Sequence, residues 1–165
     1  VSVHFVAFGF KQSAANLRKM GRDAMLSMKD PLDEIVDDIT EIEETVFNSG
    51  GRRAGGSWKR VTPRWQRRKA AKGLDARTMH ATKRLRRSLT YRGDPEMIQD
   101  VRPLEGTIRF GTKVPYAEMH AKGLHGMPKR PVITFTQGDK KRWAKKIAKF
   151  VKKEYSGRAR TKRNP

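Results

Sequence analysis

The sequence predicts an α+β protein, with a small antiparallel sheet of about four strands packed by a long N-terminal helix and a C-terminal amphipathic helix. Three observations carry that reading. Residues 30–47 repeat apolar side chains at helical spacing behind an Asp-Pro start. Residues 88–136 break into short stretches separated by Gly- and Pro-bearing turns. Residues 139–155 return to helical spacing, with lysines on the outside.

Taken in chain order, VSVHFVAF is rich in β-branched and aromatic residues and reads as a short strand closed by Gly9. Residues 13–28 set Leu17, Met20, Ala24, Met25 and Met28 at helical spacing behind a Ser13 cap, the methionines serving as adaptable packing. In DPLDEIVDDITEIEETVF, Asp30 is the expected N-cap and Pro31 the first helical residue, and acids crowd the first turns, where the macrodipole favours them. Leu32, Ile35, Val36, Ile39, Ile42, Val46 and Phe47 form one apolar stripe. Asp37, Asp38, Glu41, Glu43 and Glu44 are then either a solvated face or a docking strip for a basic neighbour.

NSGGRRAGGSW reads as a mobile glycine-rich loop. It lacks the Gly-Lys-Ser/Thr of a phosphate loop. WKRVTPRWQRRKAAKG then interleaves Trp58 and Trp65 with cations. That composition suits single-stranded nucleic acid, but two isolated aromatics fit better as anchors of an extended arm. Residues 75–90 are expected to begin as a helix and run into a strand at 88–91. Further strands are expected at 97–102, 106–110 and 131–136, with turns at Gly93-Asp94-Pro95 and Pro103–Gly106. Gly111 closes the third strand, and Pro115 opens a short helix bearing Tyr116, Ala117 and His120. Asp139 is the expected cap of the last helix, whose stripe is Trp143, Ile147, Phe150 and Val151. Such a lysine-coated helix resembles membrane-surface and calmodulin-target helices, but more commonly covers a sheet. Residues 156–165 read as a basic, disordered tail.

Composition narrows the function. The 165 residues allow one domain with a real core, yet 36% hydrophobic and 33% charged residues make the apolar supply thin. No cysteine is present, which excludes disulfides and thiolate chemistry, and no apolar run approaches the ~18 residues of a membrane span. The opening stretch is too short, and lacks the basic flank, for a signal peptide, so a soluble, non-secreted protein is expected. The net charge is +21 and unevenly placed: residues 1–51 hold nine of 17 acids but five of 38 bases, a local −4 against +25 for the rest. An acidic element and a basic body can pair between subunits, or the body can face a polyanion.

No catalytic, metal-binding or cofactor-binding set assembles from the sequence. The histidines are His4, His80, His120 and His125, and Gly123 between the last two argues against a shared helical face. His120 is expected to pack or hydrogen-bond, not to ligate. Acids in the basic half are scattered, which argues against a metal-dependent nuclease.

The order of motifs resembles the phage virion morphogenesis proteins, the tail-completion and neck group related to tail terminators of tailed bacteriophages. The resemblance covers roughly residues 30–155. It runs from the helix ending at Phe47 through Trp58, then Thr82, Leu85, Ser88 and Leu89. FGTKVPYAEMHAKG follows, with Gly111, Tyr116, Ala117, His120 and Gly123, and then MPKRPVITFTQGD with Arg130 and Pro131. Lys83 after Thr82 departs from the family's Thr-Gly.

The resemblance implies an α+β subunit (30–155, with a basic arm inserted at 49–74 and an extension at 1–29). It implies assembly as a hexameric ring at the head–tail junction, between connector or stopper and tail-tube or terminator proteins, in the virion after assembly in the host cytoplasm. Subunit or partner contacts are expected at Asp33, Asp37, Asp38, Glu41 and Glu44 and at Arg52, Arg53, Trp58, Arg60, Trp65, Arg67 and Arg68. Lys145, Lys149, Lys152, Arg158, Arg160, Lys162 and Arg163 are the candidate DNA-facing residues. No enzyme activity and no membrane partner are expected. The glycine-rich loop and the arm are candidates for ordering only on assembly. The alternative is a basic nucleic-acid-binding protein acting outside a virion.

Overall fold

A computed structural model of the protein describes residues 4–10, 15, 19, 21–53 and 56–161, with the backbone alone at 4–9, 23–24, 155 and 157–161. In chain order the elements are β1 (His4–Gly9), α1 (Arg22–Leu26), α2 (Lys29–Asn48), α3 (Pro63–Ala71) and α4 (Arg84–Thr90). They continue with β2 (Met97–Arg102), β3 (Thr107–Thr112), α5 (Ala117–Lys122) and α6 (Gln137–Thr161). The class is α+β. The sheet described has three strands in the order β1-β3-β2, where about four were expected.

β2 and β3 are an antiparallel hairpin turned at 103–106, where Glu105 N–H donates to Arg102 O and Gly106 N–H to Pro103 O. Gly106 takes φ 62°, a left-handed conformation open to glycine at little cost. Phe10 N–H donates to Gly106 O at 2.9 Å, setting the end of β1 beside the start of β3.

The chain divides into two compact units, one of Val1–Val6, Asp38–Gln99 and Phe110–Thr134, the other of Ala7–Asp37, Asp100–Arg109 and Phe135–Pro165. This partition cuts across the expected segments at 1–29, 30–155 and 156–165. The first unit buries Ile39, Ile42, Val46 and Phe47 of α2 together with Trp58, Leu85, Leu89, Phe110 and Val132. The second buries Met25, Met28, Leu32, Ile35 and Val36 with Ile108, Trp143 and Ile147. The apolar stripe read along α2 is therefore fully buried, as its period requires.

Several expected elements differ, each for a local reason. Residues 88–90 end a helix, not a strand: Leu85 and Leu89 bury at i, i+4, and Ser88 Oγ donates to Leu85 O at 2.9 Å and shares a 2.7 Å bond with Thr112 Oγ1. The helix expected from residue 75 begins only at Arg84, because Met79 and Lys83 sit at φ 66° and 57°, outside helical space. Residues 131–136 form no strand. The bonds at their start go elsewhere: Arg130 N–H donates to His120 O, and Pro131 O accepts from the Trp58 indole.

Gly111 lies buried inside β3, which continues to Thr112. Helix α2 starts at Lys29, with Pro31 in its first turn, where a missing N–H costs nothing. The cap of α6 is Thr136, with Asp139 in the role of a capping box: Asp139 N–H donates to Thr136 Oγ1, and Thr136 N–H donates back to Asp139 Oδ2. Helix α6 runs on to Thr161, into the segment expected to be a disordered tail; residues 162–165 lie outside the described residues. Of the helix expected over 13–28, residues 13, 14, 16–18 and 20 lie outside the described residues, Ala15 is helical and Lys19 lies in a turn. The regular helix there is α1, which follows Gly21 at φ 105°. No helix among the described residues is long and apolar enough to cross a membrane.

Glu43 departs furthest from expectation. It is fully buried in the first unit, and neither carboxylate oxygen has a hydrogen-bond partner. Burial pushes its carboxyl well above the usual carboxylate range, opposed in part by the Arg53 charge. A buried acid of this kind holds its proton instead of bearing an unpaired charge. Because the folded pKa is the raised one, folding is favoured below the unfolded carboxylate's titration and loses stability as pH rises towards the folded value. Glu43→Gln removes that loss. It is expected to raise the thermal midpoint at pH 8, by about 2–4 °C per kcal/mol recovered, and to change it little at pH 4. Equal midpoints for the two proteins across that range would contradict the assignment.

Candidate functional site

The basic arm turns back onto the first unit and is anchored there. Gly51 N–H donates to Val46 O and Trp58 N–H to Gly50 O, both at 2.8 Å. A Cβ on Gly51 would stand 2.5 Å from the Trp58 ring, so only glycine lets the indole close over this turn. Trp58 is 5% exposed, meets Phe47 edge-on at 5.2 Å, and donates Nε1–H to Pro131 O at 2.7 Å. Burying such a ring contributes about 1.5–3 kcal/mol. Thr62 caps α3, accepting from Trp65 N–H, with Pro63 in the first turn.

Arg130 completes the anchor. It is 6% exposed, its Nε donates to Lys59 O at 3.0 Å, and its backbone N–H donates to His120 O at 2.7 Å. Residues 130 and 131 thus clasp both the arm and α5. Gly123 makes the return to Arg130 possible. It ends α5 at φ 74°, and a Cβ there would stand 2.9 Å from Lys129 N and 3.0 Å from Met127 O.

Around this clasp opens a recess of about 660 Å³. Thr82, Leu85, Tyr116, His120 and Arg130 line it, so scaffold residues chosen from sequence order converge on one place. Trp65, Met79, Met127 and Pro128 add apolar wall, and Lys59, Arg60, Lys69 and Lys83 add positive charge. Arg84 also lines it but is taken up by Glu96. No carboxylate is among the lining residues.

The electrostatics of the recess are those of a site short of an anion. Burial lowers the Lys69 amine from its usual range, with Asp75 opposing and Arg130 adding to the effect. Asp75 itself is held by Arg77 through Nη2 at 2.6 Å, which drives its carboxyl pKa down. His120 is held below its ordinary value by burial first, then by Arg130 and Lys69. Its ring meets Tyr116 edge-on at 6.0 Å, and its buried Nδ1 has no hydrogen-bond partner. Arg130 thus disfavours charge on Lys69, and both disfavour charge on His120, around a space that an anion could fill.

The other sequence-predicted residues fall elsewhere. Trp65 stays 56% exposed with the Arg68 guanidinium 5.2 Å from its ring centroid. Arg52, Arg60, Arg67 and Arg68 are exposed, while Arg53 is half-buried near Glu43. On α2, Asp37 and Glu41 are exposed, Asp38 is half-buried, Asp33 pairs with Lys29, and Glu44 pairs with Arg86. On α6, Lys145, Lys149 and Lys152 are exposed. Arg158 and Arg160 lie on its backbone without described side chains, and Lys162 and Arg163 lie outside the described residues. Ala117 is buried at the start of α5. Sequence reasoning missed Lys69, Met79, Lys83 and Met127, which the folding-back of the arm brings in. Among the described residues, no three acids or histidines cluster as metal ligands.

Fold and recess together define an α+β scaffold that presents a cationic, aromatic-walled pocket beside a clasped basic arm. The chain belongs to the phage virion morphogenesis family, whose model matches residues 10–153. It is thus a protein of bacteriophage virion assembly. Neither the curated proteins nor the solved structures compared with it contain a match.

The glycine geometry is testable. Gly123→Ala places a methyl against backbone atoms at left-handed φ, whereas Gly126, at φ 72°, has nothing within 4 Å. Gly126→Ala is expected to cost about 1–2 kcal/mol from backbone conformation alone. Gly123→Ala is expected to cost clearly more in denaturant unfolding, and equal costs would contradict the close approach at Lys129.

Proposed function

We propose that the protein is a structural, non-catalytic virion component of the head–tail junction, which assembles as a ring, expected to be hexameric, around the DNA channel and joins the tail to the head. The observation that carries this reading is family membership over residues 10–153. Charge placement supports it. Asp37 and Glu41 stand exposed on α2, while the exposed cations Arg60, Arg67 and Arg68 lie on or beside α3. Complementary faces on one chain are what head-to-tail contacts between identical subunits require. Lys145, Lys149 and Lys152 on α6 give the ring a surface for DNA or for an acidic neighbouring ring.

The rival reading, a nucleic-acid-binding protein acting outside a virion, needs aromatic platforms for bases. Trp58 is buried, which removes one of the two tryptophans on the arm. Electron microscopy of the purified protein, together with a phage lacking its gene, tests the proposal. Closed rings and a lysate of full heads separated from tails are expected. A protein that stays monomeric with its connector and tail-tube partners, and a mutant that still yields joined particles, would overturn it.

A further inference from the structure

We propose that the recess beside Arg130 is a docking pocket for a carboxylate-bearing peptide segment of a partner protein, with an acidic group set next to an aliphatic or aromatic side chain. Arg130 is 6% exposed, and its one described side-chain bond is from Nε to Lys59 O. Nothing among the described residues pairs its guanidinium with an acid. An arginine so far from water ordinarily has a carboxylate partner, held through two parallel hydrogen bonds. Lys69 and Lys83 stand on the same recess, and Lys69 gives its hydrogen bond to a neutral carbonyl, Arg77 O, at 2.8 Å. A carboxylate from outside would offset the Arg130 charge that Lys69 feels and supply an acidic acceptor for the guanidinium.

The walls determine what accompanies that carboxylate. Met79, Leu85, Tyr116 and Met127 give an apolar lining of peptide size, and methionine adapts to varied side chains. Met79 and Lys83 hold left-handed φ values without being glycine, and strain of this kind concentrates at binding sites.

Nucleic acid fits less well. Arg130 is recessed behind the arm, whereas phosphates on a duplex lie on a convex surface. On the arm, Trp58 is buried and the Trp65 ring has the Arg68 guanidinium over it, which leaves no run of stacking platforms. The inference rests on the assembly role above only in naming the partner as a protein. Its test uses the isolated chain, so it can fail while ring formation stands, and the reverse.

The test titrates the full-length protein with a fluorescein-labelled peptide of sequence Gly-Leu-Glu-Phe-Glu-Gly. Its counterpart with both Glu changed to Gln and an oligothymidylate of equal charge serve as comparisons, all read by fluorescence anisotropy. The acidic peptide is expected to bind about tenfold or more tightly than the Gln peptide, the scale of one charge-assisted hydrogen bond. Lys69→Ala and Arg130→Lys are each expected to weaken it by about fivefold or more, and Lys149→Ala to leave it unchanged. Lys69→Ala carries the test if Arg130→Lys fails to fold. Bound peptide is also expected to raise the His120 titration midpoint seen by NMR, since a carboxylate would then face His120 alongside Arg130 and Lys69. Equal binding of the two peptides, no effect of Lys69→Ala, or tighter binding of the oligothymidylate would overturn the proposal.

Discussion

The first unit depends on one clasp. At Arg130 and Pro131 the chain gives up strand pairing and spends its backbone and guanidinium bonds on other segments: Arg130 N–H to His120 O, Arg130 Nε to Lys59 O, and Pro131 O from the Trp58 indole. Two of these bonds join pieces 73 and 71 residues apart in sequence, and the third ties Arg130 back to α5. Each is worth about 1 kcal/mol net, but breaking one leaves a buried donor or acceptor unmet, which costs about 1–3 kcal/mol. The arm is therefore a docked part of the folded unit, whereas the family resemblance had pointed to ordering only on assembly. The floor and rim of the recess exist because this clasp holds.

Charge is the second constraint. A chain of net +21 must either spread its cations in water or pair them. The protein does both, with Arg84 on Glu96, Arg86 on Glu44 and Arg87 on Asp94 within the first unit. At Arg130 it does neither: this side chain is buried, no acid among the described residues pairs with it, and the carboxylates near the recess, Asp75 and Glu96, are held by Arg77 and Arg84. Glu43 is the mirror case, an acid buried without a bond. Unpaired groups of this kind lower stability in the isolated chain.

The legible parts of the fold were those set by local physics. The period of residues 32–47 placed α2, and the Pro103–Gly106 turn placed the β2–β3 hairpin. Where long-range bonds override local preference, the reading failed. ITFT has strand composition, yet Pro131 and Arg130 are bonded to the arm and α5, and no ladder forms. Residues 88–90 look extended by composition, but Leu85 and Leu89 need one buried helical face. Glu43 looked like its acidic neighbours, since a single register position separates the solvated face of α2 from its core.

The candidate site was half legible. Thr82, Leu85, Tyr116, His120 and Arg130 were marked by their order along the chain, and the fold brings them together. Lys69 and Met79 carried no such mark, because their place follows from the arm's return and from left-handed turns at non-glycine residues. Nothing in composition announces either.

The clasp is the central claim, and hydrogen exchange of the tryptophan indoles in the isolated protein tests it most directly. The Trp58 Nε1 proton, buried and donated to Pro131 O, is predicted to exchange orders of magnitude more slowly than that of the exposed Trp65. A Trp58 indole proton exchanging as fast as that of Trp65 would show that the arm is not held in the free chain, and the account built on it would fall.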